Sequence, residues 1–89
     1  MKLKDDYILY NASEEETIAV ATGEEAAHFK GLIRGNKTAG AIMEYLKEDL
    51  SLDDLVSKLA ERFDANVEDL RQGAEEVLEK LKSLGAIEE

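Results

Sequence analysis

The 89-residue chain has no cysteine, no proline, no tryptophan and a single histidine. Without cysteine there is no disulfide framework, no thiolate metal site and no cysteine nucleophile. That composition is compatible with a reducing cytosol. His28 has no second imidazole or thiolate with which to share a metal or a proton, so it reads as a surface or strand-end residue. Residues 1–11 hold no apolar signal core, and no apolar run approaches membrane-spanning length. The expectation is a soluble, cytoplasmic protein with no membrane partner. The absence of proline leaves little linker composition, and the length suits a single domain over residues 1–89. So short a chain buries a modest core and leaves little room for a deep, enclosed active site. It contains no glycine-rich phosphate loop and no calcium loop. Carboxylate pairs such as Asp53-Asp54 and Glu75-Glu76 are sequence neighbours in helical stretches. Adjacent helical residues point about 100° apart, so these pairs do not converge on one atom. No catalytic set, no cofactor and no metal site is expected, and the chain does not read as an enzyme.

Charge is abundant but one-sided. Twenty-one Asp and Glu oppose 11 Lys and Arg, a net charge of −10. Such a surface repels phosphate backbones, which excludes nucleic acid as a natural partner. Residues 67–84 alone carry five acids and three bases. That makes a poor helix for a major groove.

The first third reads as strand. Residues 7–10 are apolar and β-prone, and the polar run 11–16 suggests a loose hairpin. In residues 17–21, Ile18 and Val20 share one face while Thr17, Ala19 and Ala21 share the other. Residues 29–34, with Phe29, Leu32 and Ile33 around Gly31, read as a third short strand. The rest reads as helix. Asn36 is an N-cap, followed by Ala39, Ile42, Met43 and Leu46 at helical spacing. Ser51 opens a second helix whose stripe is Leu52, Leu55, Val56, Leu59 and Phe63. The third runs over about 67–84. Leu70, Ala74, Val77, Leu81 and Leu84 repeat at 4, 3, 4 and 3 along its seam, and Leu78 widens it. Gly85 stands where helices end on a left-handed residue, and Ile87 is placed to fold back on the last turn. Three antiparallel strands before three helices give an α+β fold, with the third strand as an exposed edge.

Two residues admit a second reading. Ser51 at a helix start loosely resembles the phosphopantetheine-bearing serine of acyl carrier proteins. There, however, serine follows aspartate directly, whereas Leu50 intervenes here. Gly73, inside a helix at a cost of roughly 1 kcal/mol relative to alanine, marks either close approach of another backbone or packing on the sheet.

The run from Phe29 through Gly31, Leu32, Ile33, Asn36 and Thr38 to Ile42 resembles the motif of the PqqD-like family. Residues 77–87 resemble that family's leucine-rich ending with its terminal Gly-apolar-Ile. Lys30, Gly35, Gly73 and Val77 depart from the family's usual residues. The resemblance implies a winged helix-turn-helix-like domain of the class called RiPP recognition elements. Such domains bind the leader of a ribosomally made precursor peptide and present it to a modifying enzyme, often a radical SAM enzyme, in natural-product biosynthesis. PqqD serves pyrroloquinoline quinone synthesis. The leader is held as an added strand between the third strand and the third helix. On this chain the implied edge is Phe29, Lys30, Gly31, Leu32, Ile33 and Arg34, with backbone pairing from residues 30–34. The facing helix contributes Leu70, Ala74, Val77 and Leu81 as apolar floor, Gly73 for close approach and Arg71, with Arg34, for acidic leader residues. A 3–4 seam is equally the ordinary way a helix packs, so Leu70, Val77 and Leu81 also fit a core role. An exposed edge is compatible with a monomer or a strand-swapped dimer.

Overall fold

In a computed structural model, residues 1–23 and 32–88 are described. A two-residue strand, β1 (Lys2–Leu3), opens the chain. Strands β2 (Tyr7–Asn11), β3 (Glu16–Ala21) and β4 (Leu32–Asn36) form an antiparallel sheet in that order. Helices α1 (Lys37–Tyr45), α2 (Leu52–Arg62) and α3 (Val67–Ser83) follow. The expected α+β order holds. The third strand of the sheet lies later than residues 29–34 and runs directly into α1. Residues 29–31 fall outside the described residues.

A second, two-stranded pairing was not foreseen. Strand β1 pairs antiparallel with β5 (Ile87–Glu88), Leu3 opposite Ile87. Ile87 therefore pairs with the start of the chain as well as packing against the core. Two residues carry too little local signal to be read as a strand; a tertiary partner makes them one.

Alternation in β3 decides which face of the sheet is covered. Thr17, Ala19 and Ala21 are buried, whereas Ile18 and Val20 are half-buried on the other face. The inward row is small, and α1 comes close to it. A Cβ on Gly40 would lie 2.7 Å from Thr17 Cβ and closer still to its Oγ1. Only glycine, which has no Cβ, allows this approach. The Thr17 hydroxyl donates to Asn11 Oδ1 at 3.2 Å, which satisfies it beneath the helix.

Each helix starts on a side-chain cap that accepts an otherwise orphaned N–H. Asn36 Oδ1 accepts from Ala39, Ser51 Oγ from Asp54 and Asn66 Oδ1 from Glu68, at 2.9, 3.1 and 2.8 Å. Asp53 and Asp54 stand in the first turn of α2 and Arg62 in its last. Both placements suit the helix dipole. At the end of α3, Gly85 takes φ +73°. The Ala86 N–H then reaches Leu81 O (2.9 Å) and the Gly85 N–H reaches Lys82 O (3.0 Å). Together they make a Schellman closure.

The core is built from Ile42, Met43 and Leu46 after β4, Leu55, Val56 and Leu59 of α2, and Leu70, Ala74, Leu78 and Leu81 of α3. On α3 the expected seam is rotated. Leu78 is buried at 5% exposure, and Val77 is only partly covered.

Candidate functional site

The β4 edge defines the site, and its backbone directions follow from the register. In an antiparallel ladder the N–H and C=O of one residue point to the same side, and successive residues alternate. The Ala12 N–H donates to Glu16 O, and the Thr22 N–H donates to Asp6 O, so even-numbered residues of this strand face β2. Thr17 and Ala19 then face β4, where they stand opposite Gly35 and Ile33. It follows that Ile33 and Gly35 bond to β3. The N–H and C=O of Leu32 and Arg34 point to the outer edge, where no strand lies among the described residues.

Beside this edge runs a groove of about 210 Å³. One bank is the 33–36 segment, the floor is Ala39 and Met43 of α1, and the other bank is Val77, Lys80 and Leu81 of α3. The floor is apolar because Ala39 and Met43 are one turn apart and both turn towards β4. An added Cβ on Gly35 would stand 2.9 Å from Ala39 Cβ and 3.1 Å from Met43 Cε. Glycine at position 35 therefore lets the helix sit tightly behind the strand. Lys80 places a cation on the α3 bank, whereas Arg34 borders the groove from β4 with its side chain turned, like that of Leu32, to the other face of the sheet. Neither forms an ion pair among the described residues.

The residues expected from sequence separate into groups. Ile33, Arg34, Val77 and Leu81 line the groove. Leu32 is half exposed at the same edge, on the opposite face of the sheet. Leu70 and Ala74 are buried core residues, at 7% and 0% exposure. Gly73 lies one turn before Val77, and a Cβ there would meet nothing within 4 Å among the described residues beyond its own helix backbone. Packing against the sheet therefore does not explain this glycine. Arg71 lies about 120° around the helix from Val77, at about 100° per residue. Its Nη2 donates to Asp53 Oδ1 of α2 at 2.6 Å. Phe29, Lys30 and Gly31 lie outside the described residues, as does His28.

Gly35, Asn36, Ala39, Met43 and Lys80 line the groove without having been singled out for it. Lys80 was legible at i+3 from Val77. Ala39 and Met43 show in the sequence only as residues at helical spacing, and Met43 also belongs to the core.

Outside the groove, Tyr45 stacks beneath two cations. Lys58 Nζ lies 5.8 Å and the Arg62 guanidinium 5.9 Å from its ring centre. The face of the ring attracts both charges. Bonding to Tyr45, and secondarily to Glu44, raises the Arg62 pKa above its ordinary value. This cluster ties α1 to α2. The described residues include no group of three or more His, Cys, Asp or Glu side chains placed to hold a metal. No helix among them is long and apolar enough to cross a membrane.

A family model described as coenzyme PQQ synthesis protein D (PqqD) matches residues 10–87. Among solved structures, TbiB1 in complex with the TbiA(beta) leader peptide superposes with a TM-score of 0.75. The match covers 99% of this chain and 95% of that one at 12% identity, a likeness of fold. No match is found among the curated proteins.

Proposed function

Because this chain belongs to the PqqD family, we propose that it binds the leader segment of a ribosomally made precursor peptide as an added strand on β4. The observation that carries the reading is the pairing of two features at one place. The N–H and C=O groups of Leu32 and Arg34, without a strand partner among the described residues, point outward directly beside an apolar groove. A peptide strand satisfies those groups in register, and its alternate side chains drop between Ile33, Val77 and Leu81. Backbone pairing supplies affinity with little regard to sequence, and the groove supplies selectivity. The open strip at Gly73 extends the path along α3 and gives the leader backbone room to approach the helix. The TbiB1 complex, with its leader peptide, supports the assignment.

In this role the chain supplies no reacting group. It holds the leader and presents the rest of the precursor to a modifying enzyme. Ser51, the alternative carrier serine, serves as the cap of α2.

The test is titration calorimetry with the leader of a precursor peptide encoded beside this chain's gene, using wild type and Val77→Asp. Val77 is the suitable position because it is only partly covered, whereas Ile33, at 6% exposure, is a core residue. A change of Ile33 to Asp threatens folding. Wild type binds, and Val77→Asp, still folded by circular dichroism, binds at least about tenfold more weakly, given the cost of burying an unpaired carboxylate. Equal binding by both proteins would remove the groove from the site.

A further inference from the structure

Given strand addition at β4, the reading on which this step rests, the side chains of β4 fix the chemistry of the strand beside it. Residues directly opposite on neighbouring strands share a face and interact through their side chains. On β4, Ile33 and Gly35 turn inward, while Leu32 and Arg34 turn outward. Two cross-strand rows already run over that outward face. One is Ile8, Val20 and Leu32; the other is Tyr10, Ile18 and Arg34. The first is apolar to its end, where Leu32 keeps 50% of its surface exposed. The second ends on a guanidinium with no ion pair among the described residues, in a chain of net charge −10. Among the described residues, then, the open strand edge presents a cation without a carboxylate, although the chain carries 21 acids against 11 bases.

We propose that the bound segment carries a three-residue signature: an Asp or Glu opposite Arg34, then an apolar residue turned inward opposite Ile33, then an apolar residue turned outward opposite Leu32. Strand direction decides whether the acid comes first or last. The carboxylate completes the row that ends at Arg34. Lys80, which lines the groove beside this edge, adds a second positive charge nearby. The overall negative charge acts against an acidic ligand only at a distance. Its field is screened beyond about 8 Å at physiological ionic strength, so it slows encounter more than it opposes the contact.

A random eight-residue peptide library displayed on phage tests this. It is selected in parallel on wild type, on Arg34→Glu and on Val77→Asp, each checked for folding by circular dichroism. Clones that bind wild type and not Val77→Asp should share an acid adjoining two apolar residues. Clones selected on Arg34→Glu should carry Lys or Arg at the acid's place. A synthetic wild-type clone should bind Arg34→Glu about 5- to 20-fold more weakly, the size expected when an attractive exposed pair becomes a repulsive one, and an acid-to-Lys peptide should recover the loss. Groove-dependent clones without acidic preference, the same on wild type and Arg34→Glu, would overturn the signature and leave strand addition standing. If no selected clone depends on Val77, both fall.

Discussion

Proline at position 34 separates strand addition from mere docking of apolar side chains. The Arg34 N–H points to the open edge and takes no part in the β3–β4 ladder, by the parity of the pairing. Arg34→Pro therefore removes one donor offered to an incoming strand and puts a ring in its path. Edge strands accept proline when its missing N–H faces outward. The preceding Ile33 is already extended within β4. Proline requires that of the residue before it. Arg34→Ala is the reference, because it removes the charge and keeps the N–H. A net backbone hydrogen bond is worth about 0.5–1.5 kcal/mol, so calorimetry with the leader should give affinity about 2- to 13-fold weaker for proline than for alanine, before any steric loss. Thermal unfolding of the two should nearly coincide. Ile33→Pro, one residue earlier, strikes an N–H that bonds β3 and deletes a side chain at 6% exposure. Its cost should be on the order of 3–5 kcal/mol. Equal leader affinity for Arg34→Pro and Arg34→Ala would refute strand addition here. If Arg34→Pro unfolds as readily as Ile33→Pro, the parity is wrong.

Three further outcomes are expected. Gly40→Ala drives a methyl into Thr17. It should cost about 1–3 kcal/mol, read as a melting temperature lowered by roughly 4–8 °C per kcal/mol; an unchanged melt would mean that α1 is not seated on β3 as described. Gly73→Ala has open space around the new methyl. It gains helix propensity, so stability to urea should rise by up to about 1 kcal/mol, whereas Gly73→Leu should stay folded and bind the leader more weakly; full binding by Gly73→Leu would take the leader off that strip. Arg71→Ala breaks an exposed pair with Asp53. It should change stability by no more than about 1 kcal/mol and leave leader affinity unaltered in the same titration; a clear loss of affinity would return Arg71 to the site.

The sequence by itself determined the parts of this protein that rest on local rules. Alternation in residues 17–21 put Thr17, Ala19 and Ala21 on one face and Ile18 and Val20 on the other, and packing then covered the first row. Successive strand residues must face opposite sides. Asn36 and Ser51 announced two helix starts through the N–H groups they cap, and Gly85 announced the left-handed end of α3. Other features depend on what packs against what, and local periodicity carries no record of that. Val77 and Leu78 both suit the apolar face of α3; packing covers Leu78 and leaves Val77 at the groove. Met43 serves at once as core and as groove floor. Lys2–Leu3 is a strand only because Ile87–Glu88 arrives beside it. The direction of the Leu32 and Arg34 backbone groups was fixed by the pairing register of β3 with both its neighbours. Tertiary structure alone could decide that, since a shift of one residue would have turned every donor on the edge inward.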